Sequence, residues 1–99
     1  MIIEIADIAV RPEDRDAFAE AIQRAASTVL ARSPGYRRHT ILSCQETPGR
    51  FVLQVEWETV EAHTVGFRES PLFADWRTII GPFFARPPHV EHFDVLASG

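Results

Sequence analysis

The chain has 99 residues, 45% of them apolar and 24% charged, with a formal net charge of −4. That length fits one domain with one core, the composition is that of a globular rather than a disordered chain, and the absence of any basic block argues against a nucleic-acid partner. No run approaches the roughly 18 apolar residues that span a bilayer, and Met1-Ile2-Ile3-Glu4 has no basic n-region, so no membrane association and a cytoplasmic location are expected.

Ile2 to Val10 is rich in β-branched residues and ends at Arg11-Pro12, which suits a strand followed by a helix with proline at its first position. Ile3, Ile5 and Asp7 alternate with Ile2, Glu4, Ala6, Ile8 and Val10, so both faces carry apolar groups and a sheet covered on both sides is expected. From Glu13, apolar Phe18, Ala21, Ile22, Ala25 and Val29 recur at helical spacing until Pro34-Gly35 stops the run. Tyr36 to Gln45 and Arg50 to Glu58 read as the strands of a hairpin turning at Thr47-Pro48-Gly49. Cys44, the only cysteine, excludes an internal disulfide and a cysteine-based zinc cluster, and is expected to be a buried small apolar residue.

Thr59 can cap a short helix reaching Arg68, and Ser70-Pro71 offers a second cap with proline at the first helical position. Leu72, Phe73, Trp76, Ile79, Ile80 and Phe83 form a wide apolar stripe ending at Gly81-Pro82, and a last strand is expected from His89 to Leu96. The order βαββαβ predicts an α+β, ferredoxin-like domain over residues 1–99, with a four-stranded antiparallel sheet and both helical segments on one side. The other side is then bare. Its expected residues include Ile2, Ile8, Val10 and part of the hairpin, and a two-fold homodimer is the simplest way to cover them.

The run Phe51-Val52-Leu53-Gln54-Val55-Glu56-Trp57, then Glu61-Ala62-His63, Phe67-Arg68-Glu69-Ser70-Pro71-Leu72-Phe73, Trp76 and the closing Val90-Glu91-His92-Phe93 resembles the antibiotic biosynthesis monooxygenase (ABM) family over nearly the whole chain. The resemblance implies a dimeric α+β barrel, two sheets face to face, with a pocket between each sheet and its helices. It does not fix the reaction, because the family includes cofactor-free monooxygenases of polycyclic phenols, haem-degrading enzymes, isomerases of signalling sugars and proteins of unknown role. Many relatives carry a histidine where Phe67 stands. The haem-degrading branch has its iron-binding histidine at the position of Arg77, an asparagine at that of Asp7 and a tryptophan at that of Phe67, so the resemblance argues against haem degradation.

His63 and Phe67, four residues apart on a helix, share a side, and Trp76 belongs to the stripe that faces the sheet. An imidazole there can remove a proton from a phenol or activated CH2 group, and the resulting anion can react with O2. His63 is therefore the candidate base, with Asp7 as a candidate orienting carboxylate, each weighed against a structural role. Trp57, Phe67, Phe73, Trp76, Ile80 and Phe83 are candidate walls for a small aromatic ligand or plain core. His89 and His92, three apart on a strand, point to opposite faces, so no metal site is assigned. His39 is read as structural, and Arg68 and Arg77 as solvated unless they anchor an anionic group. The first reading is a cofactor-independent monooxygenase of an aromatic or polyketide-like molecule, using molecular oxygen as co-substrate. The alternatives are a non-oxidative isomerase of a small enolisable metabolite, with a smaller and more polar pocket, and a non-catalytic small-ligand-binding dimer with a pocket filled by its own aromatic rings.

Overall fold

A computed structural model describes every residue, Met1–Gly99. Strand β1 (Ile2–Ala9) leads through a short 3-10 turn at Pro12–Asp14 into helix α1 (Arg15–Thr28). The hairpin strands β2 (Tyr36–Ser43) and β3 (Arg50–Trp57) follow, then a π-helical turn (Ala62–Phe67), helix α2 (Pro71–Ile80) and strand β4 (His89–Phe93). All pairings are antiparallel, in the spatial order β2-β3-β1-β4, which makes an open four-stranded ferredoxin-like α+β sheet. No helix is long and apolar enough to cross a membrane.

The expected elements are present with shorter ends. β4 stops at Phe93 rather than Leu96, because its pairing partner β1 begins at Ile2 and Ile3 already faces Phe93. β2 ends at Ser43, and Cys44 is half-buried at the hairpin end rather than packed in the core.

The phase of β1 differs from expectation. Glu4, Ala6, Ile8 and Val10 lie buried under the helices and Ile2 packs against the same core, so Ile2, Ile8 and Val10 belong to the core side and not to the bare face. Their neighbours across β3 explain the choice: Val55, Leu53 and Phe51 lie opposite Glu4, Ala6 and Ile8, and residues directly opposite share a face. The core is completed by Phe18, Ile22 and Ala25 of α1, with Trp76 and Ile80 of α2. The open face instead carries Ile3, Ile5, Val52, Leu42 and Phe93, the last two exposed, interspersed with the ion pairs Asp7–Arg50 and Arg38–Glu56.

Two glycines fix the loops that carry the sheet. Gly35 (φ 85°) ends the α1 connection, and a Cβ there would lie 2.6 Å from the Ala62 side chain, so the loop and the π-helical turn approach as only glycine permits. Gly49 (φ 89°) closes the hairpin, with its carbonyl accepting the Val10 amide at 2.8 Å. A Cβ at Gly49 would collide with the Val10 carbonyl oxygen. Gly49→Ala should therefore destabilise the fold by more than the roughly 1 kcal/mol of a simple glycine replacement, read as a lower urea midpoint with an unchanged slope.

Candidate active site

Between the sheet and the helical segments lies a cavity of about 480 Å3, within the range of small-molecule sites. β1 places Glu4, Ala6 and Ile8 on its floor, the π-helical turn supplies His63 and Phe67, and α2 supplies Phe73, Trp76 and Ile80.

The turn that presents His63 is built locally. Thr59 Oγ1 accepts the Ala62 amide at 3.1 Å, the cap expected from the sequence. The His63 carbonyl then accepts the Arg68 amide five residues on, at 3.0 Å. This wider turn still leaves His63 and Phe67 on the same inner side, their rings stacked at 6.3 Å. Such turns recur at functional sites. Pro71 begins α2 as expected, but Ser70 does not cap it through its side chain; its hydroxyl donates back to the Phe67 carbonyl at 2.7 Å.

His63 is 3% exposed and lies against the Trp57 indole at 5.3 Å. Both of its ring nitrogens face protein groups. Nδ1 is 2.8 Å from Nε2 of His92, and Nε2 is 3.4 Å from Glu4 Oε1, a close contact longer than a good hydrogen bond. Glu4, 6% exposed, accepts a hydrogen bond on the same Oε1 from the Trp57 indole N–H at 2.9 Å. Its Oε2 has no hydrogen-bond partner in the chain, and the residue lines the cavity.

The electrostatics follow from this burial. Loss of solvent raises the Glu4 carboxyl above its usual range, against the opposing effects of the Trp57 hydrogen bond and the Arg68 charge. Burial, helped by Arg68 and His92, lowers His63 to about 3. His92 is lowered for the same first reason. His63 is therefore neutral near neutral pH, and its contact with Glu4 is not an ion pair.

The sequence-derived site is partly assembled. His63, Phe67, Phe73, Trp76 and Ile80 line one cavity. Asp7 is not with them. It lies on the opposite sheet face in a two-pronged hydrogen bond to Arg50, at 3.1 and 2.8 Å, which lowers its pKa. The carboxylate that reaches His63 is Glu4, three residues earlier and hence on the other face. Trp57 sits behind the cavity wall and holds Glu4, rather than lining the space itself. Phe83 packs edge-on against Phe18 at 5.6 Å, away from the lining. His89 and His92 do point apart, His92 inward to His63 and His89 outward to Glu91. His39 pairs with the Tyr36 hydroxyl at 2.6 Å. Sequence reasoning missed Glu4, His92 and Arg86. For Glu4 the available signal was its place among the apolar residues of the buried β1 face.

Sheet order, helical cover and this cavity define a ferredoxin-like α+β domain with an open cavity between its sheet and its helical segments. The chain belongs to the antibiotic biosynthesis monooxygenase family, whose model matches residues 1–79. It is 34% identical over 93 residues to YczJ of Bacillus subtilis (strain 168), an uncharacterized protein, covering 94% of this chain and 97% of that one. A family structure from Bordetella bronchiseptica is 36% identical, superposes with a TM-score of 0.91 and covers 97% of each chain. The fold is also shared with SnoaB, a cofactor-independent oxygenase from Streptomyces nogalater, at 20% identity and a TM-score of 0.79, over 98% of this chain and 94% of that one.

A buried neutral histidine ties stability to pH. Because His63 in the folded chain titrates at about 3, below the ordinary imidazole value of 6.5, its contribution is fully present above the unfolded value and is lost as pH falls toward the folded one. Between about pH 7 and about pH 5, the native chain should lose more stability in urea than His63→Gln does. Equal losses would place the imidazole in solvent.

Proposed function

We propose that the chain is a cofactor-independent monooxygenase of a small aromatic or polyketide-like molecule, and that Glu4, rather than His63, accepts the substrate proton. The observation that carries this reading is the buried Glu4 carboxyl, with Oε1 held by Trp57 and Oε2 left without a partner at the cavity wall. Nδ1 of His63 is bonded to His92 and Nε2 lies against the Glu4 carboxyl at 3.4 Å, so with its hydrogen on Nε2 the imidazole has no free basic atom to offer a ligand. A carboxylate raised by desolvation is a stronger base than one in water and is suited to proton abstraction.

In this reading an activated CH2 group gives its proton to Glu4 Oε2. The tautomer with hydrogen on His63 Nε2 and on His92 Nε2 lets His92 donate to His63 and turns the His63 N–H toward the Glu4 carboxylate. The substrate anion passes one electron to O2, and the radicals combine to a peroxide that takes up the proton. Loss of water leaves a carbonyl, so CH2 and O2 become C=O and H2O, with all four electrons drawn from the substrate. No redox cofactor is needed for that balance. The likeness to SnoaB supports the oxygenase reading, as does the cavity, which the rings of Phe67, Phe73 and Trp76 wall rather than fill.

With a hydroxyanthrone as probe, oxygen uptake should match carbonyl formation one to one, and Glu4→Gln should lower turnover by about 10² to 10⁴. The variant keeps an acceptor for Trp57 and relieves a buried ionisable group, so it should be no less stable at neutral pH. Undiminished turnover would remove Glu4 as base. Exchange of the CH2 hydrogens with solvent without oxygen uptake would favour an isomerase, the reading to which the polar groups at the cavity mouth also lend support.

We further propose that a second copy covers the open sheet face, whose Ile3, Ile5, Leu42, Val52 and Phe93 make a mixed apolar surface suited to a two-fold contact. Light scattering should give the mass of two chains, and Ile5→Arg should shift it toward one. A monomeric native chain at micromolar concentration would reject the contact.

A further inference from the structure

The protein has ten arginines and no lysine. Six of them, Arg11, Arg15, Arg24, Arg37, Arg38 and Arg50, form ion pairs with carboxylates of the chain. The other four are Arg32, Arg68, Arg77 and Arg86, and the last three all line the cavity. They arrive from separate elements: Arg68 at the end of the π-helical turn, Arg77 on α2, and Arg86 on the segment leading to β4. The only acidic residue lining the same space is Glu4, which is buried and already bonded to Trp57. The cavity thus gathers three unneutralised cations in a chain whose net charge is −4 and whose acids outnumber its bases by 14 to 10.

Acids in excess pair with most arginines elsewhere and with none here. We infer that this cavity takes an aromatic carboxylate: a flat apolar body against Phe67, Phe73 and Trp76, with its carboxylate on the guanidinium groups of Arg68, Arg77 and Arg86. The inference rests on the reading of the cavity as the substrate site and adds the charge class of that substrate. A guanidinium presents planar paired donors that match a carboxylate. The Arg77 guanidinium stands 5.9 Å from the centre of the Phe73 ring, so cation–π attraction places a donor beside an aromatic wall. Arg68 lines the same cavity as Glu4 and His63, so an anion bound to it would share that space with the proposed base. All three arginines are exposed at the mouth, where they also attract an anion from solution.

Two probes with the same rings separate the terms. Naphthoate carries the anion and naphthylmethanol does not, and calorimetric titration of the native protein with each should give at least about ten-fold tighter binding of naphthoate at low salt. That preference should shrink as salt is added. It should vanish in the triple variant Arg68→Gln, Arg77→Gln, Arg86→Gln, which should bind the alcohol as the native protein does and so report an intact pocket. Arg32→Gln, an unpaired arginine outside the lining, should leave the preference in place. Equal binding of the two probes, or a preference that survives the triple variant, would overturn the inference while leaving the cavity as an aromatic site. Binding of neither probe would reject both.

Discussion

The contact on which the site depends is the hydrogen bond from the Trp57 indole to Glu4 at the centre of the sheet. A carboxylic acid on the buried face of a central strand is costly to desolvate, and costlier when ionised. Trp57 answers this with one N–H on Oε1, and His63 closes over the same oxygen. Trp57 is itself wholly buried and packs on His63 and Phe67, so the group that holds the acid also sets the wall of the turn above it. Position and chemistry are coupled through one ring.

The elements and their order were legible from periodicity, because the apolar spacings of α1, β3 and α2 admit only one face each. β1 was different. It is a central strand with apolar residues on both faces, so its alternation is visible in the sequence while its phase is not. Asp7, flanked on its own face by Ile3 and Ile5, looked like the polar group inside a pocket. Glu4, on the face with Ile8 and Val10, is the one that is there. The deciding information is the register with β3, whose apolar set Phe51, Leu53, Val55 and Trp57 is unambiguous, but β1 and β3 are not consecutive in the chain and no hairpin turn fixes their register in advance.

The same limit accounts for His92. Its direction opposite to His89 follows from strand period and was readable, yet its meeting with His63 requires β4 to lie beside β1 with Glu4 and His92 directly opposed. His63 and Phe67 were legible as a pair because helical spacing is local. The π-type hydrogen bond that widens their turn left no comparable mark, since no residue type in Ala62–Phe67 demands it.

Burial of Glu4 opposes stability and serves the proposed chemistry for one reason. Removing water from the carboxyl raises the free energy of its ionised form, which weakens the fold above the usual carboxylate range and makes the anion a better proton acceptor. A strand-centre acid is tolerated only where surrounding contacts are strong enough to fix it, and β1 is one of the two strands paired on both sides, with Ala6, Ile8 and Val10 in the same core cluster as Phe18, Phe51 and Trp57. An acid on the edge strand β4 would be rehydrated, and one on a loop would turn away. Placing the candidate base on a central strand, and the cations proposed to meet a ligand on exposed segments at the cavity mouth, divides the work between rigid burial for proton transfer and accessible charge for recognition.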